Sequence, residues 1–252
     1  MIEEPYRWVE AIATRRDYIE TQLSSGSPII ALIYAEGILL FTVGQQKLFE
    51  IYDRIALGAI GHPGDIERLR MAAIELASTE GFARSAADVS LRRLAYYSLS
   101  PVMKNGFEQI YGAPFLARLL FAEIGPTPAE DLILAVEYDG AISQKKSGNT
   151  QFAVLAGTKK SAEQMEQFLE TEHRGTEDLG AALELAFDAW TIGNRTIEEG
   201  NALPGREEIQ ALRAERLGDG ALEAIVLNRA ARSGVRYRAL DGKELSVLGG
   251  KK

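Results

Sequence analysis

Residues 27–61 read SPIIALIYAEGILLFTVGQQKLFEIYDRIALGAIG, and the reading of this stretch decides the fold. Ile29 to Thr42 is two short apolar runs broken by Ala35-Glu36-Gly37, the composition of a tight hairpin turn. Leu48 to Ile60 repeats the arrangement, with Tyr52-Asp53-Arg54 as its turn. Strands joined by hairpins rather than by crossover helices predict antiparallel pairing. Lys47 stands just ahead of the third run, and at this point three roles are open to it: a solvated charge at a strand edge, a catalytic base, or a socket for a partner's carboxylate.

Ahead of this stretch, Pro5 opens a segment with Trp8, Val9, Ile12, Tyr18, Ile19 and Leu23 at mostly helical spacing, stopped by Ser24-Ser25-Gly26. Behind it, after Gly61-His62-Pro63-Gly64, the period changes from strand to helix. Asp65 is the expected cap of a helix carrying Ile66, Leu69, Ala73, Ile74 and Leu76, with Gly81 as its end. Asp88 or Ser90 caps the next, over Leu91, Leu94, Tyr97 and Leu99, with Pro101 as the point where it ends or kinks. Strands return at Phe115 to Ile124, Leu132 to Glu137 and Phe152 to Leu155, with Asp139-Gly140 as a turn; helices follow near Ser161 to Glu172 and Thr176 to Ile192. The charged stretch Arg206 to Arg216 is a further helix candidate. Ala221 to Asn228 and Val235 to Leu240 are strands, and Asp241-Gly242 reads as a hairpin turn before a last strand, Leu245 to Leu248. Two antiparallel sheets stacked face to face, each outer face covered by a helix pair, would bury every one of these stripes. That is an α+β fold, a four-layer αββα sandwich, one option among several α+β packings on periodicity alone.

Composition narrows the function. A chain of 252 residues with 46% apolar residues buries a real core, and no linker, repeat or low-complexity tract divides it, so one domain over 1–252 is expected. The 28 Lys and Arg against 36 Asp and Glu give a formal charge of -8, with scattered basic doublets, which speaks against a nucleic-acid partner. Cysteine is absent, which excludes disulfides and thiolate metal sites. The N-terminus is acidic and then amphipathic, unlike a secretory signal, and no apolar run approaches the roughly 20 residues of a membrane span. A cytoplasmic protein with no membrane partner is expected. His62 and His173 are the only histidines, neither with a sequence-local metal partner, and no phosphate loop of the GxxxxGK[ST] kind occurs. Neither a metal nor a cofactor is expected, and the histidines are assigned structural or surface roles.

In the order of its elements and in its residues, the chain resembles proteasome core-particle subunits of the α type, especially the bacterial ones. The matches run from the leading helix, through SPIIALIYAEGILL and QQKLFEIYDRIALGAIG, to the terminal RYRALDGKELSVL, about the whole length. The resemblance implies the N-terminal-nucleophile hydrolase fold. In that family the catalytic β subunits expose an N-terminal threonine after cleavage behind a glycine, supported by an acid and a lysine. Laid onto this chain, the nucleophile's place falls at Ser27 after Gly26, the acid's at Val43 and the lysine's at Lys47. A hydroxyl nucleophile needs neighbours that accept and relay its proton, and valine does neither. The implied reading is therefore a non-catalytic subunit in a seven-membered ring, capping rings of catalytic β-type subunits and controlling the passage of protein substrates. Residues 1–26 would form a leading gate segment and helix, with Met1, Ile2, Glu3 and Glu4 as the mobile gate. Lys47, with Gly61 admitting the backbone, would hold the C-terminal carboxylate of an ATPase or other ring activator. His62 departs from the apolar residue that some relatives place after this glycine, and it receives no binding role. Two alternatives stand beside this reading: an active hydrolase processed at Gly26-Ser27 with Ser27 as nucleophile, and a scaffold repurposed on the same fold.

Overall fold

A strand with apolar residues on both faces needs cover on both, and stacking satisfies that demand twice over. The computed structural model describes residues 5–44, 46–109, 111–147, 150–195, 202–216, 221–231 and 235–249; the expected gate, Met1, Ile2, Glu3 and Glu4, lies outside them. Helix α1 (Pro5–Leu23) leads into β1 (Ile29–Tyr34) and β2 (Gly37–Val43), with Tyr34 opposite Gly37 and Ile29 opposite Thr42. Strands β3 (Leu48–Tyr52) and β4 (Ile55–Gly61) form the second hairpin, and α2 (Pro63–Ala83), α3 (Leu91–Arg93) and α4 (Ser100–Glu108) follow. Next come β5 (Ala117–Glu123), β6 (Leu132–Val136), β7 (Ile142–Ser143), β8 (Lys145–Ser147) and β9 (Thr150–Leu155). The remainder is α5 (Lys159–Glu172), α6 (Leu179–Asn194), α7 (Arg206–Arg216), β10 (Leu222–Asn228), β11 (Tyr237–Ala239) and α8 (Gly242–Leu245).

The strands make two antiparallel sheets, ordered β11-β10-β2-β1-β9-β8 and β3-β4-β5-β6-β7. Successive residues of β1 alternate between two cores. Ile29, Ala31 and Ile33 meet Ala56, Ile60 and Leu120 of the other sheet, while Ile30 and Leu32 pack outward against Met165, Leu169 and Phe187 of α5 and α6. On the far side, Leu57, Leu119 and Phe121 meet Leu69, Ala73 and Met103 of the α2–α4 layer. Each fully buried Ile, Leu or Phe is worth about 1.5–3 kcal/mol. Because both faces of β1 are apolar, the hydrophobic pattern does not set its register, and the short Ala35-Glu36 turn does. The expected αββα sandwich is the architecture.

Several local expectations are corrected. Asp65 does not cap α2: His62 is the N-cap, its Nδ1 accepting from the Gly64 amide at 3.2 Å, while Asp65 Oδ2 accepts from the Leu116 amide at 3.0 Å. Gly81 does not end α2, which runs on to Ala83; a Cβ at Gly81 would strike the Tyr52 hydroxyl, so the residue serves close packing of α2 on β3. Neither Asp88 nor the Ser90 side chain caps the next helix. The Glu123 carboxylate reaches from β5 to accept the Leu91 amide at 3.0 Å. Pro101 does not end the segment: six residues of π-helix, Leu94–Leu99, precede it, and α4 runs through it. The last strand, Leu245 to Leu248, is instead α8 and a 3-10 turn, Ser246–Gly249. There Asp241 and Glu244 form a capping box, the Asp241 carboxylate accepting from the amides of Lys243 and Glu244.

Candidate functional site

The head of β1 is where the chain turns from helix to sheet. Gly26 closes a turn on α1, its amide donating to the Leu23 carbonyl at 2.9 Å, and Ser27 follows directly. The Ser27 hydroxyl donates to the Val43 carbonyl at 2.7 Å and accepts from Trp190 Nε1 at 3.1 Å. Its proton is thereby committed to a backbone carbonyl. The side chain of Val43 is buried in the core between its sheet and α6, so the place of a supporting acid holds an aliphatic group.

Beyond Val43 the backbone is unusual at two described residues. Gly44 has φ +145 and Gln46 φ +56, the latter a left-handed conformation that a side chain opposes. Lys47 follows, half-buried. Its carbonyl accepts from the Ala59 amide at 3.1 Å, and its amide and that of Leu48 donate to the two oxygens of Glu223 at 3.0 and 3.1 Å. The side chain folds back over Gly44, where a Cβ would lie 3.1 Å from Lys47 Cε and 3.5 Å from Nζ. Burial pulls the ammonium below its ordinary value of 10.5, opposed by the charge of Glu223. Among the described residues the Lys47 ammonium has no ion-pair partner.

A cavity of about 550 Å³ brings Ser27, Lys47 and Gly61 onto one wall system, with Leu23 of α1, Phe49 of β3 and Glu67 of α2 around them. Gly61 has φ +139, and a Cβ there would collide with the Leu116 carbonyl oxygen, which accepts the His62 amide at 2.8 Å. Arg70 grips Glu67 through two bonds of 2.8 and 2.7 Å and lies over the Phe49 ring at 5.4 Å, which fixes that wall. The lining is mixed, Leu23, Phe49 and Ile60 beside Gln22, Ser27 and Gln46, and Lys47 is a charge on it without an ion-pair partner among the described residues.

The leading helix is fastened by a charged network that the sequence reading did not anticipate. Arg118, buried in β5, donates to Glu137 at 2.8 Å, to the carbonyls of Ala156 and Gly157 at 2.9 and 3.0 Å, and to Glu20 of α1 at 2.6 Å. The Tyr138 hydroxyl donates to the other Glu20 oxygen at 2.8 Å. Burial pushes the Glu137 carboxyl above its ordinary value, against the pull of Arg118. Of the histidines, His62 caps α2 and His173 is buried with Nδ1 3.3 Å from Glu177 Oε1. Among the described residues no cluster of acids and histidines is placed to hold a metal, and no helix is long and apolar enough to cross a membrane.

Two stacked antiparallel sheets between helix layers make the four-layer αββα sandwich, the N-terminal-nucleophile hydrolase fold that the resemblance implies. No family model matches the chain. Among curated proteins it is similar to the proteasome subunit alpha of Parafrankia sp. (strain EAN1pec), 30% identical over 250 residues, covering 95% of this chain and 92% of the relative. The proteasome subunit alpha of Actinosynnema mirum is 30% identical over 243 residues, covering 95% of this chain and 84% of the relative. That of Streptomyces coelicolor is 29% identical over 248 residues, covering 95% and 86%. The chain belongs to the proteasome alpha-subunit family.

Proposed function

We propose that this chain is a non-catalytic α-type subunit of a bacterial proteasome core, working in the cytoplasm as a single domain in a seven-membered ring. The ring caps catalytic β-type subunits, gates the passage of protein substrates through its N-terminal residues Met1, Ile2, Glu3 and Glu4, and docks an ATPase or other activator. The observation that carries the docking reading is the half-buried Lys47 ammonium on the wall of the cavity, without an ion-pair partner among the described residues. A cation partly stripped of water gains most from an anion that arrives with its own hydrogen-bond acceptors, and a terminal carboxylate is such an anion. Gly61 lines the same cavity, and we take its backbone as part of the wall against which an incoming chain end would lie. The non-catalytic reading is supported by the Ser27 hydroxyl, which is bonded to Val43 and Trp190 and has valine in place of an acid.

Lys47→Ala is expected to leave ring assembly intact and to weaken activation by a carboxylate-ended partner about ten- to a hundredfold, the value of one charge-assisted bond. Unchanged activation removes Lys47 from the socket. The intact mass of the mature chain tests the other half: a species that begins at Ser27 sinks the non-catalytic reading and favours a processed hydrolase.

A further inference from the structure

Glu223 is the second residue of β10, on the six-stranded sheet, opposite Thr42 of β2. Its side chain crosses to the other sheet and places one oxygen on each of two consecutive amides, Lys47 at 3.0 Å and Leu48 at 3.1 Å. The charge of Glu223 acts on the Lys47 ammonium, yet among the described residues the two form no ion pair. Here the carboxylate is spent on the backbone of the lysine instead, and the ammonium is left to the cavity. The stretch it grips needs such a tie, because Gln46 immediately before it is held at φ +56.

We propose that Glu223 is the positioning residue of the socket: by clamping the amides of Lys47 and Leu48 it aims the Lys47 ammonium at an incoming chain-terminal carboxylate. This rests on the docking reading given above. With the amide of Lys47 held by Glu223 and its carbonyl held by Ala59, the side chain leaves the backbone in one direction, across Gly44. The charge of Glu223 also opposes the effect of burial on the lysine and so favours the protonated form that a carboxylate requires.

Glu223→Gln and Glu223→Asp separate aim from charge. Glutamine keeps the reach but presents an NH2 group to one of the two amides; aspartate keeps the charge but is one methylene too short to span both. The probe is a fluorescein-labelled nonapeptide with a free C-terminal carboxylate, compared with its C-terminal amide by fluorescence anisotropy on the assembled protein. Both variants are expected to bind the acid peptide about tenfold more weakly, with the acid-over-amide preference reduced and the melting temperature little changed. If Glu223→Gln tightens binding and Glu223→Asp leaves it unchanged, Glu223 acts as a competing charge and the inference is overturned. It is equally overturned if acid and amide binding fall together, which marks a merely structural tie. If Lys47→Ala weakens the acid peptide while neither Glu223 variant does, Glu223 alone is excluded. A wild-type protein that does not distinguish acid from amide removes the docking reading and this inference with it.

Discussion

The leading helix stands between Ser27 and the N-terminus, and Arg118 ties its Glu20 to β5, beside Arg15, which donates from the helix to the carbonyls of Gly106 and Gly112. Replacing Arg118 by methionine keeps the aliphatic stem that packs beneath the guanidinium and removes every donor it carries. Two buried acceptors, the carbonyls of Ala156 and Gly157, then lose this donor, at about 1–3 kcal/mol each. Glu20 and Glu137 lose their cation as well, but their side chains are 39% and 37% exposed, so water takes over much of their charge. Screened to that degree, each adds no more than about 1 kcal/mol. The sum is about 4 kcal/mol, within the range for breaking one side of a buried ion pair. At about 2–4 °C per kcal/mol for a chain of this size, the melting temperature should fall by roughly 8–16 °C at fixed protein concentration. Calorimetry measures the fall, and hydrogen exchange locates it: the amides of α1 should lose protection before those of β1 and β2, because Glu20 is the side chain that Arg118 holds on α1. A drop below about 3 °C with α1 protection unchanged would show that the helix is held by its other contacts, those of Arg15, Ile19 and Leu23, and would refute the clamp.

Burial holds the His173 imidazole below its ordinary 6.5, against the pull of Glu177, so the folded chain resists a proton that the unfolded chain accepts. The stability this contributes is full above about pH 6.5 and is lost as pH falls through that value, at up to about 1.4 kcal/mol per pH unit; thermal melts from pH 7.5 to 5.5 should show the slope, and His173→Gln should flatten it. Gly61→Ala places a Cβ against the Leu116 carbonyl at φ +139, and should cost at least about 3 kcal/mol or abolish soluble expression, read by chemical denaturation; a near-neutral result would mean that β4 and β5 separate freely at their ends.

The hairpins were legible because turn chemistry is local: Ala35-Glu36-Gly37 and Asp53-Arg54 sit between runs too apolar to be anything but doubly covered strands. The helix Arg206–Arg216 was legible as a charged stretch because much of its tie to the body is ionic, Arg213 reaching Glu184 and Asp188 on α6 and Arg206 reaching Glu172 on α5. The terminal element misled for the same local reason. DGKE carries both a turn pair and a capping box, and the box prevails once Glu244 also takes Arg238 as a partner. What the sequence could not disclose were the charges that act across it. Arg118 and Glu123 lie inside the apolar run read as a strand, and nothing in that run names the partners, up to 98 positions away, that satisfy them.

Lys47 shows why distance in sequence matters to function and not only to folding. Its neighbours in the chain, Gln46 and Leu48, are compatible with a surface lysine, a base or a socket. The base is disfavoured from 20 positions away, where the Ser27 hydroxyl is tied to the carbonyl of a valine. The solvated surface charge is disfavoured from 176 positions away, where the Glu223 carboxylate takes the backbone amide of the lysine. A lysine that was merely solvated would gain nothing from having its main chain clamped and its side chain led across a glycine into a cavity. One whose task is to meet an anion gains direction, because the entropy of orienting the ammonium is then lost on folding rather than on binding. On that argument the two residues to alter together are Lys47 and Glu223, and their effects on the acid peptide should be strongly non-additive: with Lys47 already alanine, changing Glu223 should cost little more.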